Sequence, residues 1–183
     1  MQKKLTLLLV ALGITFSISN ITSAQDFRIG IGARISHPVG RFDVLYPVSV
    51  GGTLRFEYQL LPKFFLNVNT GFIEYKTTLN YFFVEENYST KDVPLVFGAK
   101  VFYWKDFYAL GEIGLHFVER KVVFDSRIFR LNKTETSEGI GLGYEKHIGR
   151  SLLLDIGVKH TFWEMDTFYF DNVEVGMIIS YAF

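Results

Sequence analysis

What most constrains this chain is a hydrophobic period of two, cleanest in its closing segment, Tyr169 to Phe183. Tyr169, Val173, Val175, Met177, Ile179, Tyr181 and Phe183 share one parity, and Asn172, Glu174, Gly176, Ser180 and Ala182 share the other. Successive side chains of a strand point to opposite faces, so this segment reads as a strand with one apolar face and one small or polar face. The same alternation appears early in the chain, where Phe27, Ile29, Ile31, Ala33 and Ile35 interleave with Arg28, Gly30, Gly32, Arg34 and Ser36.

Between these ends the period predicts six further strands, beginning near Val48, Phe64, Val93, Phe107, Thr136 and Leu152. Leu61-Pro62-Lys63, Trp104-Lys105-Asp106 and His147 to Arg150 read as tight turns. The stretches 39–47, 74–92, 119–135 and 163–168 read as longer loops, the third of them basic. An even strand count with short turns on one side and longer loops on the other is the layout of membrane barrels. The expected fold class is all-β, an eight-stranded antiparallel up-and-down transmembrane β-barrel with both termini on the periplasmic side.

Charge distinguishes this reading from an inside-out soluble barrel. The polar parity carries Arg28, Arg34, Arg55, Lys100 and Lys159 against Glu57, Glu112, Glu145, Asp155 and Glu174, five of each sign. A water-facing surface needs no such balance, whereas a narrow closed lumen does, because an unpaired buried charge is costly. These ten residues are the expected lumen charge network, with glycines sharing their face and with Lys159, Arg28 or Arg55 expected to neutralise Asp155. Aromatic residues gather at strand ends. Tyr58, Phe64, Tyr103, Trp104, Phe107, Tyr144 and Phe183 predict one interfacial girdle, and Tyr75, Tyr81, Phe117, Phe162, Trp163 and Tyr169 the other.

The amino terminus has its own logic. Lys3 and Lys4, the apolar stretch Leu5 to Ile18 and Thr22-Ser23-Ala24 form a charged, an apolar and a small-residue region. That is a secretory signal, expected to be cleaved after Ala24 and to leave residues 25–183 as one outer-membrane barrel domain. No cysteine is present, so the sequence offers no lipoprotein attachment site, disulfide or thiolate metal site. Without Lys3 and Lys4 the chain carries 17 basic against 19 acidic residues, which gives no electrostatic reason to expect nucleic acid as a partner.

The closing strand resembles that of bacterial outer-membrane barrels, in which a terminal Phe preceded by alternate apolar residues is read by the barrel-assembly machinery. The resemblance implies that Ile179, Tyr181 and Phe183 form the assembly signal. Over residues 25–183 the chain resembles the small outer-membrane β-barrel domain family of OmpA-type transmembrane domains and OmpX. Asp92-Val93-Pro94-Leu95 through Gly98-Ala99-Lys100, followed by Leu110-Gly111-Glu112-Ile113-Gly114, is similar to the fourth and fifth strands of the variants common in Bacteroidota. What it implies is a structural or surface-binding barrel of the bacterial outer membrane, monomeric, with outer-membrane lipid, lipopolysaccharide and, during biogenesis, the assembly machinery as partners. No carboxy-terminal domain for binding peptidoglycan is expected.

Chemistry has few places to reside. No Gly-rich phosphate loop opens a helix and no His/Cys pair has metal spacing, so neither cofactor, metal nor catalytic residue is expected. An alternative is a lipid A-modifying enzyme, for which His160 between Glu138 and Asp171 could supply a base. It lacks a nucleophile, since Ser137 and Thr161 fall on the lumen parity and only Thr136 is placed outward. His160 is then an interfacial residue, His116 a lumen residue, and His37 and His147 carry no signal. Further alternatives are a narrow pore, which eight strands disfavour, or a part of a secretion or assembly complex. Lys121, Arg127, Arg130 and Lys133 offer lipopolysaccharide phosphates a target, whereas Glu85 and Glu86 make the second loop acidic.

Overall fold

The computed structural model describes residues 27–40, 48–81, 84–124, 127–165 and 168–183. The expected signal segment, and most of the loop after Val39, lie outside the described residues. The chain forms β1 (Phe27–Val39), β2 (Ser49–Leu61), β3 (Phe64–Tyr81), β4 (Val84–Trp104), β5 (Phe107–Phe124), β6 (Arg127–His147), β7 (Leu152–Met165) and β8 (Phe168–Ala182). Each strand pairs antiparallel with its neighbours and β8 pairs with β1, so the sheet closes into a barrel.

Register fixes the barrel's shape. Direct partners lead from Phe27 through Tyr58, Leu66, Ala99, Gly111, Ile140, His160 and Val173 back to β1 at His37. The circuit returns displaced from position 27 to position 37. With ~3.3 Å rise per residue and ~4.8 Å between strands, that stagger tilts the strands roughly 40° from the axis.

The two parities separate as the alternation requires. Ile31, Val50, Ile113 and Ile140 are 64–68% exposed on the outer face. Lys100 is 0% and Glu57 2% exposed inside. Burying charge while leaving large aliphatic side chains open is the pattern of a barrel wrapped by hydrocarbon, and this is a transmembrane β-barrel.

Two differences from the sequence reading concern its upper half. The stretches 74–92, 119–135 and most of 163–168 are not loops: β3 pairs with β4 up to Tyr81↔Val84, β5 with β6 up to Phe124↔Arg127, and β7 with β8 up to Met165↔Phe168. β4 and β5 stay paired to Glu86↔Phe124. The ladder persists, and only the side-chain period ends, because beyond the first rows, where Tyr75, Thr90 and Asp92 are still buried, neither face is packed away from water. β2 stops pairing with β3 at Ile73, and β7 pairs with β6 only from Ser137. A four-stranded extension of β3 to β6 therefore stands above the rim on one side, with residues 74–81 running roughly 25 Å along the strand.

The second difference concerns the upper girdle. Tyr75 and Trp163 are each 1% exposed and point into the lumen, because both lie on the polar parity of their strands. Phe117 is exposed on the outer face. The side chains of Tyr81 and Tyr169 lie outside the described residues. At the opposite rim Trp104 stacks on Phe107, and Phe107 meets Tyr144 at 5.0 Å.

Candidate functional site

The lumen is filled in three layers. In the lowest, the Lys100 ammonium donates to Glu145 at 2.6 Å, Asp155 at 2.8 Å and Glu57 at 3.0 Å. Arg28 donates to Glu145 at 2.6 Å, and Arg55 to Asp155 at 3.0 Å. Three cations thus meet three carboxylates. Oxygens of Glu57, Glu145 and Asp155 converge within 4.8 Å of one another, a spacing that could suit a metal ion, but the Lys100 ammonium already bridges all three. The Tyr108 hydroxyl donates to Asp155 at 2.6 Å. Its ring fits only because β6 and β7 have Gly143 and Gly157 there: a Cβ at Gly143 would coincide with the phenol, and one at Gly157 would lie 2.9 Å from its hydroxyl.

The middle layer repeats the balance with two of each sign. Lys159 pairs with Glu112 at 2.8 Å and Glu174 at 3.6 Å, and Arg34 with Glu174 at 3.5 Å. Asn69 donates to Glu112 and to Asn67, tying β3 to β5. About 50 Å³ of free space remains beside these groups, bordered by Arg34, Arg55, Glu112, Asp155, Lys159 and Glu174, enough for one or a few waters.

Above it the lumen ends in polar and aromatic packing. Ser36 and the Tyr75 hydroxyl lie 2.7 Å apart, and Asn172 donates to Ser36 and Tyr75. His116 Nδ1 is 2.9 Å from both Asp92 oxygens, and its ring lies 4.2 Å from Trp163. Val118, Trp163 and Phe170 form a buried apolar cluster over the lumen.

All ten charges expected in the lumen therefore lie inside the barrel, with partners that differ in detail from sequence expectation. Of Lys159, Arg28 and Arg55, the three cations the sequence offers to neutralise Asp155, Arg55 does so at 3.0 Å, whereas Lys159 pairs with Glu112 and Glu174 and Arg28 with Glu145. The stagger also brings Lys100, which the sequence did not single out for this carboxylate, to the height of Asp155. His116, expected in the lumen, lies there against Asp92, whereas Tyr108, Asn69, Asn172 and Asp92 have no place in the sequence reading of the network, although the parity that marks the charges marks them too.

The arrangement around His160 is not the one the sequence suggested. Glu138 and Asp171 each pair with Phe162, so a phenyl ring stands between the carboxylates. His160 lies one outward position away, opposite Ile140 and Val173, and packs edge-on against Phe162 at 4.2 Å. Thr136 is exposed on the outer face. Ile179, Tyr181 and Phe183 are exposed on the outer face at the base of β8. The Phe183 amide donates to Phe27 O at 3.0 Å.

The extension splits the basic residues of 119–135. Lys121 and Arg130 are direct partners on the outer parity, one row from Lys91 and Glu119, which also pair directly. Arg127 and Lys133 fall on the inner parity. Lys76, in the same row as Lys121 by way of Ser89, contacts Glu74 at 2.9 Å. The hydrogen bond from Lys76, followed by that from Ser89, holds the Glu74 carboxyl below its usual range.

With this geometry in place, comparison with solved structures defines the class of fold. The attachment invasion locus protein Ail of Yersinia pestis superposes with a TM-score of 0.63 at 14% identity, over 88% of this chain and 100% of that one. Neisserial surface protein A aligns at 0.52 and 11% identity, covering 86% and 97% of the two chains. OprG from Pseudomonas aeruginosa aligns at 0.52 and 12%, covering 87% and 96%. No protein-family model and no curated protein matches the sequence. The chain has the fold of small eight-stranded outer-membrane barrels, at identities that speak to fold alone.

Proposed function

We propose that the protein is a monomeric barrel of the bacterial outer membrane, exported by residues 1–24, inserted through its Ile179, Tyr181 and Phe183 closing strand, and acting at the cell surface through the β3–β6 extension. The observation that carries this reading is the filled lumen. Two neutral charge layers and an aromatic cap leave about 50 Å³ free beside the middle layer, which favours a structural or binding role over traffic through the barrel.

Surface binding is directed at anionic groups such as lipopolysaccharide phosphates. Lys121 and Arg130 stand directly opposite each other, and like charges so placed are destabilising unless something between them repays the repulsion. Ail has been solved with the heparin analogue sucrose octasulfate, so a barrel of this fold can accommodate a polyanion. The test is titration of lipopolysaccharide onto reconstituted protein at increasing salt. Lys121→Glu with Arg130→Glu should weaken binding about tenfold, with a smaller salt dependence than the parent. Unchanged affinity, or steady ion conductance by the parent in planar bilayers, would count against the proposal.

A further inference from the structure

The outer wall carries a polar site that neither the lumen nor the extension explains. At the upper edge of the lipid-facing band, in the row of the girdle residue Phe162, β6 presents Glu138 between Ile113 of β5 and Phe162 of β7, its direct partners in the two ladders. The Glu138 carboxylate is exposed on this apolar face and has no salt-bridge partner among the described residues. On β7, His160 Nε2 is buried without a hydrogen-bond partner among the described residues. An ionisable group on an otherwise apolar wall beside hydrocarbon is costly to leave unpaired, and its retention suggests a partner supplied by the surroundings.

The surface beside Glu138 is recessed. A groove of about 760 Å³ runs along the wall, lined by Leu95, Ile113, Leu115, Thr136, Glu138 and Phe162 among others. Its floor is aliphatic and aromatic on β4 and β5, and its polar groups, Thr136, Ser137 and Glu138, line its β6 side, which the strand tilt raises toward the extension. That is the division of an acyl chain and its headgroup.

We propose that this groove holds one membrane lipid with a primary ammonium headgroup, the ammonium pairing with Glu138 and an acyl chain lying against Ile113 and Leu115. The charge on this wall selects the headgroup. Across the ladder from Phe162 the next outward side chain is Asp171, so the row Glu138–Phe162–Asp171 presents two carboxylates and no cation. A phosphate-only headgroup would be repelled there, and a quaternary ammonium could not donate hydrogen bonds to the carboxylate. The inference requires only that the barrel be embedded in lipid, and it is independent of what the extension binds.

Native mass spectrometry of the full-length protein, released from micelles containing equal amounts of phosphatidylethanolamine, phosphatidylcholine and phosphatidylglycerol with identical chains, tests it. The parent should retain phosphatidylethanolamine about fivefold over the other two, the size of one exposed ion pair. Glu138→Gln should remove the preference, Glu138→Asp should keep part of it, and Ile113→Trp, which fills the groove on the lipid face, should lower retention of all three. Preference for phosphatidylglycerol, equal retention of ethanolamine and choline lipids by the parent, or an unchanged preference in Glu138→Gln would overturn the proposal. Folding in buffer without any lipid or detergent would instead overturn the embedding itself, so the two failures are distinguishable.

Discussion

Along β4 and β5 the same two strands pass from hydrocarbon into water without a break in their hydrogen bonds. Below the rim, Phe97↔Ile113 and Leu95↔Leu115 face outward, while Glu112, Val96 and Lys100 face the packed lumen. Above it the outward row reads Glu74, Lys91, Glu119, Asn132 and the inward row Tyr75, Thr90, Arg120, Leu131. Backbone pairing is equally continuous in both regions. What changes is the contrast between the two faces, which shows that a hydrophobic period of two reports the difference between two media and not the strand itself.

The contrast predicts where substitutions will matter. The largest effect belongs to Lys100→Met, which leaves Glu57, Glu145 and Asp155 without their shared cation and should cost about 3–5 kcal/mol in urea unfolding from micelles. Lys121→Met in the extension should stay within about 0.5 kcal/mol. Similar losses at both sites would mean that the lumen is far wetter than its packing implies. Next, Ile156→Arg places a cation against lipid and should cost about 2–4 kcal/mol, whereas Ile128→Arg, already beside water, should cost almost nothing. Equal sensitivity would place the membrane boundary above the extension. Smallest of the three is Gly143→Ala, which forces Tyr108 aside for about 1–3 kcal/mol, with Gly111→Ala as its neutral counterpart, because a Cβ there meets no atom. Thermal melts that failed to separate these two glycines would remove the fitted socket for Tyr108.

The same contrast explains what could be read in advance. Strand number, the inward set of ten charges and the lipid-facing aliphatics were legible because hydrocarbon on one side and a crowded lumen on the other impose alternation residue by residue. Residues 74–92 and 119–135 lost that alternation on entering water and so resembled loops, though their threonine, valine and tyrosine content suits strands. Tyr75 and Trp163 read as girdle residues because an aromatic residue near a strand end suits either face, and only their parity turns them inward. Pairings across the lumen were the least legible. They depend on the stagger between strands, which a single chain's pattern does not encode, so Asp155 found Lys100 and Arg55 where the sequence had also offered Lys159 and Arg28.

The seam between β1 and β8 has a consequence for the order of events in folding. Arg28 pairs with Ala182, and Phe27 O accepts from the Phe183 amide, so the contacts that shut the ring join residues from opposite ends of the chain. Every other neighbouring pair can form by zipping from a nearby turn, but this one must wait until the final strand is in hand. Until then β1 and the latest strand both expose raw ladder edges, each able to capture another chain. Nucleation at the three tight turns and closure at the seam are thus separate kinetic problems. The second grows only slowly with chain length, so lengthening the β3–β4 or β5–β6 hairpin should leave the rate of final closure nearly unchanged.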